Sequence, residues 1–192
     1  MFGRSRVGEG DGVELALKHL DSLYGAALRL THDGSYAEDL VQETFLRGYR
    51  YFRRLTEMSE CKALLYKIML NLWLKDRRRV QREMSLGDAA GDASWELPAH
   101  RHGWLNGGAD PEAEVLKKAF LMAVDQALRK LPPELRVTVI LADIEGFSYQ
   151  EMADILQCPL GTVMSRLHRA RRFLEREMKA YAEEARQGRA QA

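Results

Sequence analysis

Apolar positions recur every three to four residues along most of this chain, and turn residues separate the runs. From Val13 to Leu30, positions Leu17, Leu20, Tyr24 and Ala27 follow helical spacing. Thr31-His32-Asp33-Gly34-Ser35 then interrupts the pattern with turn chemistry. A second helix is predicted from Tyr36 to Arg54, with Ala37, Val41, Phe45, Gly48 and Phe52 on its core face. Asp39, Gln42, Glu43, Leu46 and Arg50 fall opposite, so one leucine stands among polar groups. Leu55 to Lys62 reads as an irregular link, and Ala63 to Arg82 as a third helix. Cys61, Leu65, Ile68, Met69 and Leu72 share its inner face, and Tyr66, Leu70, Trp73 and Arg77 lie along one flank. Lys67, Asn71, Leu74 and Arg78 lie along the outer side. Rings beside cations suit single-stranded nucleic acid, while core packing of the same rings is the plainer alternative.

The period is lost between Met84 and Asp110. That Gly- and Ala-rich stretch reads as a flexible linker, although Trp95, Leu97, Trp104 and Leu105 make it more apolar than a spacer needs. Its His100 and His102 lack companion ligands and read as surface residues, with no metal site expected. Asp110-Pro111 supplies a helix start, cap then first turn. The next helix, amphipathic from Ala113 to Leu128, stops at Leu131-Pro132-Pro133. Glu134 to Glu145 is nearly all apolar and predicts a buried helix that Gly146 ends.

Ser148-Tyr149-Gln150-Glu151 is a capping box, with Phe147 and Met152 placed as its hydrophobic staple. Gln157-Cys158-Pro159-Leu160 is a turn, with Cys158 expected as the cap and Pro159 as the first helical residue. The helix beyond carries a core stripe at Val163, Leu167, Ala170, Leu174 and Met178. Ser165, His168, Arg169, Arg172 and Arg176 point the other way, flanked by Thr162 and Arg166. Two short helices, a tight turn and a basic outer face together predict a DNA-reading helix-turn-helix. The polar tail from Ala180 to Ala192 is expected to fray.

Charge refines this picture. The chain has 192 residues, 30% of them charged, with a net charge of only +1. Distribution therefore matters more than the total. From Glu9 to Glu43, acidic residues face only Lys18 and Arg29, whereas Lys67 to Arg82 and Arg166 to Lys179 are basic. One acidic face and two basic patches suit two kinds of partner. Cys61 and Cys158 stand alone, so neither a zinc site nor a disulfide framework is expected, and both read as buried or incidental thiols. No apolar run approaches the ~18 residues of a membrane span. No signal peptide opens the chain, so a cytoplasmic protein is expected. No nucleophile–base set or phosphate loop suggests an enzyme or a cofactor.

Two blocks of sequence resemble a known family. Leu23 to Arg79, with AEDLVQETF and KALLYKIMLNLWLKDRRR, and Leu131 to Leu174, with LPPELR, EGFSYQEMADIL and PLGTVMSRLHRARR, resemble regions 2 and 4 of the extracytoplasmic-function (ECF, group IV) sigma factors. The resemblance implies an all-α chain. A three-helix-type region 2 over 13–83 and a four-helix-type region 4 over 111–180 would be joined by the 84–110 linker, with a disordered 1–12 and a frayed 181–192. It implies binding of core RNA polymerase through the β′ clamp helices, by Asp39, Gln42, Glu43 and Leu46, and through the β flap. It implies reading of the −10 element near Met58, Ser59, Glu60, Cys61, Tyr66, Lys67, Asn71, Arg77 and Arg78. The −35 element would face Thr162, Ser165, Arg166, His168, Arg169 and Arg172. A stress-responsive factor, monomeric when free and held by an anti-sigma factor, follows from the same resemblance. A stand-alone helix-turn-helix regulator is the alternative. The chain departs from the family pattern at Leu64, where tryptophan is usual, at Gln157, where glycine is usual, and at Cys158, where serine or threonine is usual.

Overall fold

The computed structural model describes residues 11–52, 58–84 and 111–190, and the elements found there are helices. Two compact units divide the chain, one on each side of the Pro98–Ala99 bond. The interdomain stretch, including Trp95, His100, His102 and the Asp110 cap, lies outside the described residues, as do residues 1–10.

The first unit holds α1 (Asp11–Leu17), α2 (Leu20–Thr31), α3 (Gly34–Phe52) and α4 (Met58–Met84). The single helix expected over Val13–Leu30 is therefore two. In an unbroken helix Leu20 would continue the Ala16–Leu23–Ala27 stripe. The turn at Lys18 and His19 rotates it out, so Leu17 and Leu20 are exposed while Ala16, Leu23, Ala26, Ala27 and Leu30 are buried. The N-terminal segment, expected to be disordered through residue 12, is helical from Asp11. Gly12 there lies so close to the end of α3 that a Cβ would stand 2.3 Å from the Phe52 carbonyl oxygen. Asp33 opens α3 by accepting the Tyr36 amide at 3.0 Å. The core face of α3 is as expected at Ala37, Val41, Gly48 and Phe52, and it also takes in Leu40 and Thr44.

Helix α4 begins at Met58, so the last residues of the expected Leu55–Lys62 link form its first turn. Residues 53–57 lie outside the described residues. Cys61, Leu65, Met69 and Leu72 are buried, and so are the apolar residues of the flank, Leu70 with Tyr66 at 0% and Trp73 at 1% exposed. The rings complete the core between α4 and α3 rather than forming an open stacking platform, because the bundle covers both sides of the helix.

The second unit holds α5 (Pro111–Lys130), α6 (Pro133–Val139), α7 (Tyr149–Leu156) and α8 (Leu160–Ala190). The apolar helix expected to Glu145 changes to a π-helical turn at Ile140–Ile144, closed by the Glu145 amide on the Ile140 carbonyl at 2.9 Å. Gly146 follows at φ +73, where other residues are strained. Leu128, Leu131, Val139, Leu167 and Ala170 form a shared core. Helix α8 runs ten residues beyond the expected limit at Ala180, to Ala190. Beyond that limit Tyr181 is half-buried, and just before it Glu177 pairs with Lys130 at 2.7 Å.

Candidate nucleic-acid interface

The helix-turn-helix forms from local chemistry. Ser148 Oγ accepts the Glu151 amide at 3.3 Å, and the Ser148 amide donates to Glu151 Oε2 at 2.8 Å, completing the capping box. Phe147 and Met152 are both buried beneath it. Gln157 ends α7 in the left-handed region at φ 50, and the Ala153 carbonyl accepts the amides of both Gln157 and Cys158. The cap of α8 differs from expectation by one residue. The Pro159 carbonyl accepts the Thr162 amide at 2.8 Å and the Val163 amide at 3.2 Å, so Pro159 holds the cap position. The Cys158 backbone instead closes α7.

On α8, Val163, Leu167 and Ala170 are buried. Ser165, His168, Arg169 and Arg172 are exposed, with Thr162 and Arg166 half-buried beside them. These six residues therefore share one accessible side of one helix. Arg171, not assigned a role from sequence, leaves the row. Its Nε donates to Asp143 Oδ2 at 3.2 Å, and its Nη2 makes a second contact with Asp143 Oδ1. The bond to Asp143 raises its pKa further above the ordinary guanidinium value. A helical wheel places Arg171 toward the neighbouring elements, which was the available signal; the identity of its acceptor was not.

Arg136 is a second residue that patterning missed. It is only 6% exposed. Its Nε donates to the Leu128 carbonyl at 2.9 Å, and its Nη2 to the carbonyls of Arg129 at 2.6 Å and Leu131 at 3.1 Å. One guanidinium thus closes the C-terminal end of α5, where the helix dipole favours a cation. That contact anchors α6 against α5 and supports the frame behind the helix-turn-helix.

In the first unit, Asp39, Gln42 and Leu46 are exposed on α3, Leu46 at 65%, and the neighbouring Tyr49 is 60% exposed. Glu43 accepts from Arg47 Nε at 2.5 Å. An exposed apolar pair amid charges is a partner-type surface. On α4, Asn71, Arg77 and Arg78 are exposed and Lys67 is half-buried. Glu60 is exposed in the first turn. Cys61 and Tyr66 are corrections to the expected nucleic-acid set: both are core residues, and neither offers a surface to a base. Burial also raises the Cys61 pKa. Met58 and Ser59 lie in the same first turn of α4. The Arg77 guanidinium lies 5.4 Å from the Trp73 ring centroid. Tyr36 Oη donates to Asp76 Oδ2 at 3.1 Å, tying the first turn of α3 to the helix segment that carries the arginines.

Two helical units, one of them a helix-turn-helix with a basic outer face, define a DNA-reading class of protein. Sigma-70 region 2 matches residues 15–83, and sigma-70 region 4 matches residues 121–174. The RNA polymerase sigma-H factor of Pseudomonas aeruginosa is 31% identical over 176 residues, spanning 89% of this chain and 88% of that protein. The ECF RNA polymerase sigma factor EcfG of Rhodopseudomonas palustris is 34% identical, spanning 81% and 78% respectively. Among solved structures, the sigma factor RpoE, in complex with the anti-sigma factor NepR from Bartonella quintana, aligns with TM-score 0.64 and 28% identity. That alignment covers 87% of this chain and 96% of that one. The chain belongs to the sigma-70 family, and within it to the ECF RNA polymerase sigma factors. It is a transcription initiation factor that works with core RNA polymerase on promoter DNA. The region 2 match sets aside the stand-alone regulator, which has no use for that unit. Among the described residues, no helix is long and apolar enough to cross a membrane.

Proposed function

We propose that the outer face of α3 docks on the polymerase β′ clamp helices through Asp39, Gln42, Glu43 and Leu46. Region 2 extends over 13–83 and region 4 over 111–180, with 84–110 as the connection between them. Lys67, Asn71, Arg77 and Arg78 attend the melted −10 strand. Thr162, Ser165, Arg166, His168, Arg169 and Arg172 face the −35 duplex, the early residues at base edges and the later arginines at phosphates. Extracting a base at −10 costs a few kcal/mol, offset only where a pocket accepts that base, so melting and reading are one event. The protein performs no bond chemistry itself, acts in the cytoplasm with the polymerase, and is a monomer when free. An anti-sigma factor holds it inactive, a reading supported by the likeness to RpoE crystallised with NepR.

The observation that carries this reading is the presence of both sigma regions, in order, in one chain. The test is polymerase-dependent initiation. Core enzyme plus this protein initiates from a promoter bearing both elements. Gln42→Ala and Leu46→Ala each weaken core binding about tenfold, roughly 1.4 kcal/mol, without unfolding the chain. Tight DNA binding by the free protein, with indifference to core polymerase, overturns the reading.

A further inference from the structure

The buried stripe of α8 is supplied by Val163, Leu167 and Ala170, and the exposed row beside it is polar except at two places. Met164 is 52% exposed and Leu160, one turn earlier, 42% exposed. At about 100° per residue, Met164 stands roughly a quarter turn from the core stripe, next to Ser165. The core does not need this side chain, and an exposed apolar pair on the flank between the core stripe and the polar row calls for an apolar partner. Arg171 on the same flank is tied to Asp143, so it leaves Met164 accessible. In the major groove, the one apolar group that a base edge presents is the C5-methyl of thymine. A thioether is flexible and polarisable enough to fit it closely. Arg169 and Arg172, on the same helix, supply the phosphate contacts that would hold the groove against this side.

We propose that Met164, supported by Leu160, is a specificity-determining residue that reads a thymine C5-methyl in the upstream promoter element. The proposal rests on α8 being the duplex-facing helix, and it adds an apolar contact to the polar ones already assigned there.

The test uses holoenzyme made from core polymerase and the full chain, with an upstream element selected from a randomised duplex pool. Each thymine in the selected element is replaced in turn by deoxyuridine, which removes only the methyl. At one position the wild-type holoenzyme loses about three- to fivefold in affinity, the size expected for one buried methyl contact. Met164→Ala loses a similar factor on the thymine duplex and nothing further on the deoxyuridine duplex, while Met164→Leu retains most of the methyl sensitivity. An element without thymine, a wild type indifferent to every deoxyuridine, or a Met164→Ala variant equally weakened on both duplexes overturns the proposal. The last result would point to an apolar protein surface as the occupant. Arg169→Ala separates the two levels: if it binds the intact element as the wild type does, the duplex-facing reading of α8 fails as well.

Discussion

Tyr36 shows how one hydroxyl couples two helices. Burial first, and then the hydrogen bond to Asp76, pushes its pKa up to about 12, against the opposing influence of Arg79 and Arg77. The folded state therefore holds the phenol proton more tightly than the unfolded chain. Its stabilising contribution is complete below about pH 10 and is lost as pH rises from there toward 12. Discounted for partial exposure, that loss is about 1 kcal/mol. Tyr36→Phe should flatten this part of the stability–pH curve, measured by urea unfolding between pH 9 and 12; an unchanged slope removes Tyr36 as its source. Gln157 is a second single-residue case, since it adopts a left-handed conformation that glycine takes without strain. Gln157→Gly should stabilise the second unit by about 1 kcal/mol, read as a rise in the midpoint of its thermal transition. A fall in that midpoint would show that the Gln157 side chain contributes more than its backbone strain costs.

At the scale of elements, local signals and packing divided the work. The capping box at Ser148 and Glu151 and the staple at Phe147 and Met152 join near neighbours in sequence, and the core stripe of α8 shows itself as a helical period, so they were legible before any fold was known. The break between α1 and α2 was not, because Leu17 and Leu20 fit the helical period and only the packing of α1 on α3 and α4 turns them outward. Nor was the outcome for Tyr66 and Trp73, since a ring beside a cation suits a core and an open groove equally well. Arg136 makes the same point with energetic consequence. Arg136→Lys cannot reach three carbonyls with one ammonium and should destabilise the second unit by about 3 kcal/mol. Circular dichroism, together with amide exchange along α5 and α6, would measure this. A loss below about 0.5 kcal/mol would mean that the α5 carbonyls find other donors.

At the scale of the whole molecule, an almost neutral chain carries its basic charge locally, and not every arginine on the basic helix is available to DNA. Arg172 is exposed and faces away from the fold, whereas Arg171 is held by Asp143. In holoenzyme binding to promoter DNA, Arg172→Ala should lower the slope of log affinity against log salt by about 0.9, the release of one counterion. Arg171→Ala should leave that slope unchanged and reduce the thermal stability of the second unit instead. Equal slope changes in the two variants would return Arg171 to the phosphate-binding row.

Legible in the sequence alone were the helical class, the helix-turn-helix with the capping box of its first helix, the exposed Leu46 among carboxylates, and the family strings in both units. Those features rest on spacing, on turn chemistry and on interactions reaching three or four residues along the chain. It took helix packing to settle that the Tyr66 and Trp73 rings are core, that Arg136 closes α5, that Arg171 is a strut between elements, and that Met164 stays uncovered. Each of these depends on what lies across from a side chain. That neighbour is set by how whole helices pack against one another, and no local period encodes it.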